Sequence, residues 1–256
     1  MQTASLSSKT PLSATRDCEI HALRHALRQS PSARRVRRIE SGGRHYWVKQ
    51  REELSLRWRL QKGNPAQAFE REREGLRRLH AMGLPVPEIV DEGPDYFVTR
   101  DAGVPLSHVY KSPDYSETER GRALKAAVKA LHRLHEAGVA HGRPNLKDMI
   151  WDGKRVTLID LERFGRVRNA HAAQVLDFII FAFSCFAVAN KSLPQIDQAL
   201  YLYRMLDMRG IFVGASRWLN CLRWLDPVAR ALSRVKNSRE IAAIPRLFAW
   251  LRSNRG

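Results

Sequence analysis

The sequence predicts an α+β protein in two lobes, and three observations lead there. Short alternating apolar and polar runs punctuated by glycine and proline fill much of the first hundred residues. Apolar residues three and four apart dominate the rest. Between these regions, near Ala102 to Ser112, Gly, Pro and Ser cluster as at a lobe boundary. The expected division is a tail and short helix over 1–30, a small β-rich lobe with one helix over 31–103, and a helical lobe over 104–256. A chain of 256 residues, 44% hydrophobic and 27% charged, can bury a full core.

Residues 1–15, rich in Ser and Thr with no apolar stretch, read as a frayed tail rather than a secretory signal. Ile20, Leu23 and Leu27 predict a helix over Glu19 to Arg28. Val36, Ile39, Tyr46 and Val48 then alternate around Ser41-Gly42-Gly43, which predicts a hairpin whose second strand ends on Lys49. Residues 52–61 are basic with interspersed leucines, and their pattern fits strand and helix equally. After Gly63-Asn64-Pro65, the spacing of Phe69, Leu76 and Leu79 predicts a helix over Ala66 to Met82, stopped by Gly83, Pro85 and Pro87. Strands are expected over Glu88 to Asp91 and Tyr96 to Arg100. Ser116-Glu-Thr-Glu119 is a capping box opening a helix through Leu124, Val128, Leu131 and Leu134 to Gly138. Another helix is expected over Arg168 to Ala189. Its apolar run, Phe178 to Ala189, is too short to span a bilayer, which takes about 20 residues. From Leu193 to Arg252 the chain reads as helical and arginine-rich.

The net charge of +18 favours a polyanionic partner: nucleic acid, an anionic membrane face or a phosphorylated substrate. Cys18, Cys185 and Cys221 have neither metal-ligand nor redox spacing, so they read as reduced thiols of a cytosolic protein.

Chemistry concentrates in His141-Gly-Arg-Pro-Asn-Leu-Lys-Asp148, followed by the turn Trp151-Asp-Gly-Lys-Arg155 and the strand Val156-Thr-Leu-Ile-Asp160. Two carboxylates at a loop and a strand end, Asp148 and Asp160, suit Mg²⁺, which takes few protein ligands. The strand-borne Lys49 suits the phosphates of a nucleotide. Of Glu70, Glu72 and Glu74, Glu72 lies four positions before Leu76 and so projects near the buried face, where it could hold that lysine. Together these are the parts a phosphoryl transfer needs.

In this order the residues resemble the eukaryotic-like protein kinase superfamily, and within it the bacterial lipopolysaccharide core kinases, which phosphorylate heptose or 3-deoxy-manno-octulosonic acid. The resemblance is carried by Ala68-Phe-Glu-Arg-Glu-Arg-Glu-Gly-Leu-Arg-Arg-Leu79, His80-Ala-Met-Gly-Leu-Pro-Val-Pro87 and Val156-Thr-Leu-Ile-Asp-Leu-Glu162. It spans about Arg35 to Ala189.

The resemblance implies a protein-kinase-like fold and ATP-dependent phosphotransfer with Mg²⁺. By it, Lys49 would contact ATP, Glu72 would pair with that lysine, and Thr99 to Gly103, Asp101 included, would form the hinge beside the adenine. His141 would brace the catalytic loop, Asp160 would hold Mg²⁺ and Asp177 would anchor the loop from below. The sequence departs from the family pattern at four places. Arg143 stands where the family keeps its catalytic aspartate. Asp148 replaces a metal-binding asparagine, Glu162 replaces a glycine, and the phosphate loop shrinks to Ser41-Gly42-Gly43. Arginine cannot accept the acceptor's proton but can neutralise developing phosphate charge.

The expected partner is an anionic acceptor such as a lipopolysaccharide core sugar. The expected place is the cytoplasm, with peripheral contact to an anionic membrane through Trp218 to Trp250. For that stretch, packing of its aromatics on the helical lobe is the plainer expectation. A pseudokinase binding module and a protein Ser/Thr kinase are the alternatives. Nucleic acid is not the expected partner, since the arginine-rich segments lack interleaved aromatics or a zinc site.

Overall fold

The computed structural model describes residues 11–29, 34–52, 65–189, 193–236 and 238–254. The chain divides into two compact units, one within residues 1–66 and 88–101, the other within 67–87 and 102–256.

In the first unit, the alternation around Ser41-Gly42-Gly43 produces β1 (Val36–Ser41) and β2 (Arg44–Gln50), paired antiparallel from Val36↔Lys49 to Ser41↔Arg44. Gly42 and Gly43 take φ of 57° and 70°. Those dihedrals match the right-handed strand twist and are cheap only for residues without a Cβ. β3 (Ile89–Gly93) and β4 (Tyr96–Arg100) complete an antiparallel sheet of order β1-β2-β4-β3. Leu23 and Leu27 of α1 (Pro11–Gln29) cover one face, packing with Ile39, Tyr46, Val48 and Val98. α1 begins before the expected Glu19, so residues 11–15, expected in the tail, are helical. Arg24 donates to Asp91 at 2.8 Å, and the Tyr46 hydroxyl donates to Glu19 at 2.6 Å. These bonds tie α1 to the sheet. The hydrogen bond from Tyr46, helped by Arg100 and Arg44, holds the Glu19 carboxyl below its ordinary range. The expectations for residues 1–10 and for 53–61 lie outside the described residues.

The helix expected within the β-rich lobe, α2 (Pro65–Ala81), clusters from Gln67 onward with the helical unit. There the segment expected as linker forms β5 (Val104–Pro105) and α3 (Leu106–Lys111). α4 (Glu117–Glu136) opens as the capping box predicts, Ser116 Oγ accepting from the Glu119 amide. Its stripe of Leu124, Val128, Leu131 and Leu134 is fully buried, each side chain contributing ~2 kcal/mol of transfer free energy. β6 (Met149–Trp151) and β7 (Val156–Leu158) pair antiparallel, with β5 on the outer edge of β6. Asp152 Oδ1 shapes their turn by accepting from the Lys154 and Arg155 amides.

The remaining helices are α5 (Ala170–Ala189), α6 (Pro194–Leu206), α7 (Ile211–Cys221), α8 (Leu225–Val235) and α9 (Arg239–Ser253). At 20 residues and a mean hydropathy of 2.0, α5 is long and apolar enough to cross a membrane, more than its 12-residue apolar run suggested. It is nevertheless a core helix: Asp177, Phe178 and Phe181 are fully buried, and Asp177 hydrogen-bonds a neighbouring loop. In the C-terminal stretch, Leu247, Phe248 and Trp250 pack inside, while Trp218, Trp224 and Leu232 are exposed.

Candidate active site

Between α4 and β6, residues 139–148 form a loop whose shape is set by one carboxylate. Asp177 is completely buried on α5 and accepts from the amide of His141 at 2.5 Å and that of Gly142 at 2.8 Å. His135 Nε2 donates to the same carboxylate at 3.3 Å, and its Nδ1 accepts from the buried Tyr203 hydroxyl at 2.5 Å. Three N–H groups thus satisfy a charge that would otherwise be costly to bury. Gln174 adds bonds from its amide nitrogen to the carbonyls of His135 (2.8 Å) and Val139 (3.1 Å). Asp177 therefore anchors the loop as the resemblance implies. His135, Tyr203 and Gln174 were not foreseen: their apolar neighbours read as ordinary helical spacing.

His141 sits fully buried within that frame. Its Nε2 donates to the Ile159 carbonyl at 2.8 Å, and its Nδ1 accepts from the Arg143 amide at 3.3 Å. These roles fix the neutral Nε2–H tautomer, and burial pushes its pKa below the ordinary histidine value in agreement. His141 thereby ties the loop to the segment that carries Asp160. Gly142 is required at its position. Its φ is 97°, and a Cβ there would lie 2.7 Å from the Arg163 carbonyl oxygen.

Asp160 follows β7 with φ 64°, the sole positive-φ residue other than glycine among the described residues. Such backbone costs of order 1–3 kcal/mol and persists where the surroundings enforce it. Its Oδ2 accepts from the Arg143 guanidinium at 2.8 Å. The arginine that replaces the expected aspartate therefore pairs with the carboxylate expected to hold metal.

The 3-10 turn Leu146–Asp148 leads into β6 and buries Asp148. Its Oδ1 lies 3.5 Å from Lys147 Nζ, and its Oδ2 has no hydrogen-bond partner. Burial, followed by the charge of Asp160, raises the Asp148 pKa to about 6, although Lys147 and Arg143 pull the other way.

Glu72 of α2 is also buried. Carboxylate oxygens of Glu72, Asp160 and Glu162 lie within 4.8 Å of one another. Close approach of α2 permits this, because one turn past Glu72 comes Gly75, whose absent Cβ would sit 3.1 Å from the Phe164 ring. Arg71 adds a bond to the Glu162 carbonyl at 3.4 Å. The all-oxygen donor set of Glu72, Asp160 and Glu162 fits a hard divalent cation such as Mg²⁺, and Asp148, whose buried Oδ2 has no hydrogen-bond partner, stands outside that set. Glu162 was foreseen as a departure from a glycine and a candidate stand-in for the missing aspartate, not as a member of a carboxylate cluster. Its clustering follows from the fully buried Leu161 between it and Asp160.

Of the residues named from the sequence, His141, Arg143, Asp148, Asp160 and Glu72 all belong to the helical unit. Lys49, Thr99 and Asp101 belong to the sheet unit. Lys49 pairs across β2–β4 with the buried Phe97, and Thr99, also buried, pairs with Trp47, so Lys49 and Thr99 share a sheet face. Asp101 follows β4, donates its amide to the His45 carbonyl at 2.9 Å and pairs with Arg38 at 2.8 Å.

Comparison with known proteins finds likenesses over parts of the chain. The chain is 30% identical over 147 residues to an uncharacterized protein of Haemophilus influenzae, a stretch covering 57% of this chain and 61% of that protein. It is also similar to the solved structure of WbdD crystallised with a kinase inhibitor. There the identity is 14% and the TM-score 0.46, over 68% of this chain and 44% of that one. The chain thus spans less than two thirds of the length of either relative. Residues 102–203, which contain the whole His141–Asp160 segment and its Asp177 anchor, match the model of the lipopolysaccharide kinase (Kdo/WaaP) family. Over that segment the chain is similar to the lipopolysaccharide kinase (Kdo/WaaP) family.

Proposed function

We propose that this protein is an ATP-dependent phosphotransferase of the lipopolysaccharide-kinase type, which moves the γ-phosphate to a hydroxyl of a cell-envelope sugar. One observation carries the reading: Asp177 and His141 lock a loop so that Asp148 and Asp160 present carboxylates from one unit. Asp148 and Asp160 would hold Mg²⁺, with Glu72 and Glu162 beside Asp160. Bound there, the cation supplies neutralising charge to the phosphates.

The chain's own residues do the rest. His141, neutral and doubly hydrogen-bonded, keeps the Asp160 segment at a fixed distance from the loop. Arg143 offers the transferring phosphate a guanidinium already oriented by Asp160. Asp148, whose proton affinity is raised in the metal-free protein, would give up that proton to bind the cation, so its proposed part is to hold the metal beside the acceptor's hydroxyl. Lys49 would reach the nucleotide phosphates, and Thr99 and Asp101 would flank the adenine. The cytoplasm is the proposed place of action. Trp218, Trp224 and Leu232, exposed among arginines, support peripheral contact with an anionic membrane face. Co-sedimentation that depends on anionic lipid tests that contact.

Transfer of labelled γ-phosphate from ATP to lipopolysaccharide tests the main reading, with Asp160→Ala as the control. A product that forms with the intact protein and vanishes with the variant is expected. Transfer to peptides in preference to glycolipid would favour a protein kinase. A second reading, a pseudokinase, draws on the Arg143–Asp160 pair, because a cation already occupies one oxygen of the proposed metal ligand. It predicts nucleotide binding without transfer to any acceptor.

A further inference from the structure

Beside the Asp177-anchored loop lies a cavity of about 810 Å³ that the chemistry described so far does not use. Four arginines line it: Arg78 from α2, and Arg163, Arg166 and Arg168 from the segment between Asp160 and α5. No acidic residue lines it. None of the four guanidinium groups is in a salt bridge among the described residues. Arg78 instead lies over the Phe164 ring, 5.9 Å from its centroid. The floor is apolar, formed by Val139, Ala140, Leu176 and Ile180 among others. Gly142, next to Arg143, is part of the wall.

We propose that this cavity is the acceptor subsite, in which Arg78, Arg163, Arg166 and Arg168 bind a phosphate or carboxylate carried by a sugar. The inference rests on the proposed phosphotransferase reading and names the side of the site that reading leaves open. Guanidinium groups suit the occupant because each offers a planar fork matched to two oxygens of a phosphate or carboxylate. Four cations lining one concavity, none in a salt bridge among the described residues, repel one another, and an anion relieves that repulsion. The apolar floor suits the body of a sugar or the start of an acyl chain rather than a fully hydrated ion. Placement decides the role: Gly142 brings the cavity wall to the neighbour of Arg143, so an anion held there leaves an adjacent hydroxyl facing the loop. The proposed metal and phosphate ligands Asp148 and Asp160 do not line the cavity.

The test is calorimetric titration of the full chain with glucose 6-phosphate, with glucose, and with lipopolysaccharide micelles. Three variants accompany it: Arg163→Ala/Arg166→Ala/Arg168→Ala, the same three positions changed to Lys, and Arg239→Ala as a charge control on α9, whose residues do not line the cavity. The intact protein should bind the sugar phosphate and the micelles but not glucose. The alanine variant should lose at least about tenfold in affinity, and the lysine variant an intermediate amount, because charge remains but the fork is gone. Arg239→Ala should bind as the intact protein does. Binding of micelles without binding of the sugar phosphate would place recognition in the lipid rather than the anionic sugar and overturn the proposal. So would equal losses in the triple alanine variant and Arg239→Ala, or unchanged binding in the former. Circular dichroism melts of the variants should match that of the intact protein, since the three substituted arginines are exposed. If ATP-dependent transfer is absent while arginine-dependent sugar-phosphate binding holds, the phosphotransferase reading fails and the anion site stands. If transfer occurs but the triple alanine variant keeps the acceptor KM, this inference alone fails.

Discussion

Replacing Asp148 by Asn removes a charge from a buried position while keeping the side chain's shape. In the metal-free protein, burial and the neighbouring Asp160 lift the Asp148 pKa from 3.8 to about 6. A carboxyl that holds its proton more tightly in the folded state than in the unfolded chain favours folding most below pH 3.8. That contribution is then lost as pH rises through about 6. The shift is about 2 units at 1.36 kcal/mol each, so the ionised carboxylate costs ~3 kcal/mol at pH 8. The same linkage gives about half that at pH 5 and almost nothing by pH 3. Asp148→Asn can keep an oxygen toward Lys147 and place its amide at the unpartnered Oδ2. Urea denaturation in the presence of a chelator should therefore find the variant more stable by up to ~3 kcal/mol at pH 8, with the gap narrowing by about half at pH 5. Adding Mg²⁺ should stabilise the intact protein more than the variant, because the cation meets one carboxylate fewer in the latter. A gap that stays constant between pH 5 and 8, or a variant less stable than the intact protein at pH 8, would refute the reasoning.

Protonation of Asp148 also competes with metal, so Mg²⁺ affinity should fall as pH drops through about 6, and a pH series of Mg²⁺ titrations reads this directly. Arg143→Ala frees the Asp160 carboxylate from a half-exposed ion pair worth about 1 kcal/mol, so Mg²⁺ should bind about fivefold more tightly while transfer slows. Gly142→Ala forces a side chain into φ 97° and against the Arg163 carbonyl, and should lower unfolding free energy by ~3 kcal/mol. Asp177→Ala leaves the His141 and Gly142 amides without their acceptor in a dry interior. It should cost ~3 kcal/mol or more, with Asp177→Asn recovering part of the loss in the same denaturation assay.

Much of this fold is legible in the sequence because its signals are local. The Gly42-Gly43 turn, the Ser116 capping box and the Phe69–Leu76–Leu79 stripe each act within a few residues, and each element forms where its pattern lies. The short β5 and α3 were hidden because Val104-Pro105 is a strand only by virtue of pairing with Ile150 and Trp151. Helix α2 carries an amphipathic signature that says it buries one face, not which unit it buries it against. In the site, His141, Asp148 and Asp160 are readable from spacing and residue type. The ion pair between Arg143 and Asp160, the approach of Glu162 to Glu72, and the joining of Arg78 to the Arg163–Arg168 segment around one cavity are juxtapositions across the chain, alongside the positive-φ turn at Asp160 and the small Gly75. No period in the sequence encodes them.

Everything proposed for catalysis depends on acidic oxygens of the helical unit holding a divalent cation that in turn holds ATP. Isothermal titration with ATP, run with Mg²⁺, with chelator, and on Asp160→Ala, measures this most directly. Metal-dependent binding that disappears in the variant is the predicted result. Absence of binding in the intact protein, or equal binding with chelator, would contradict it.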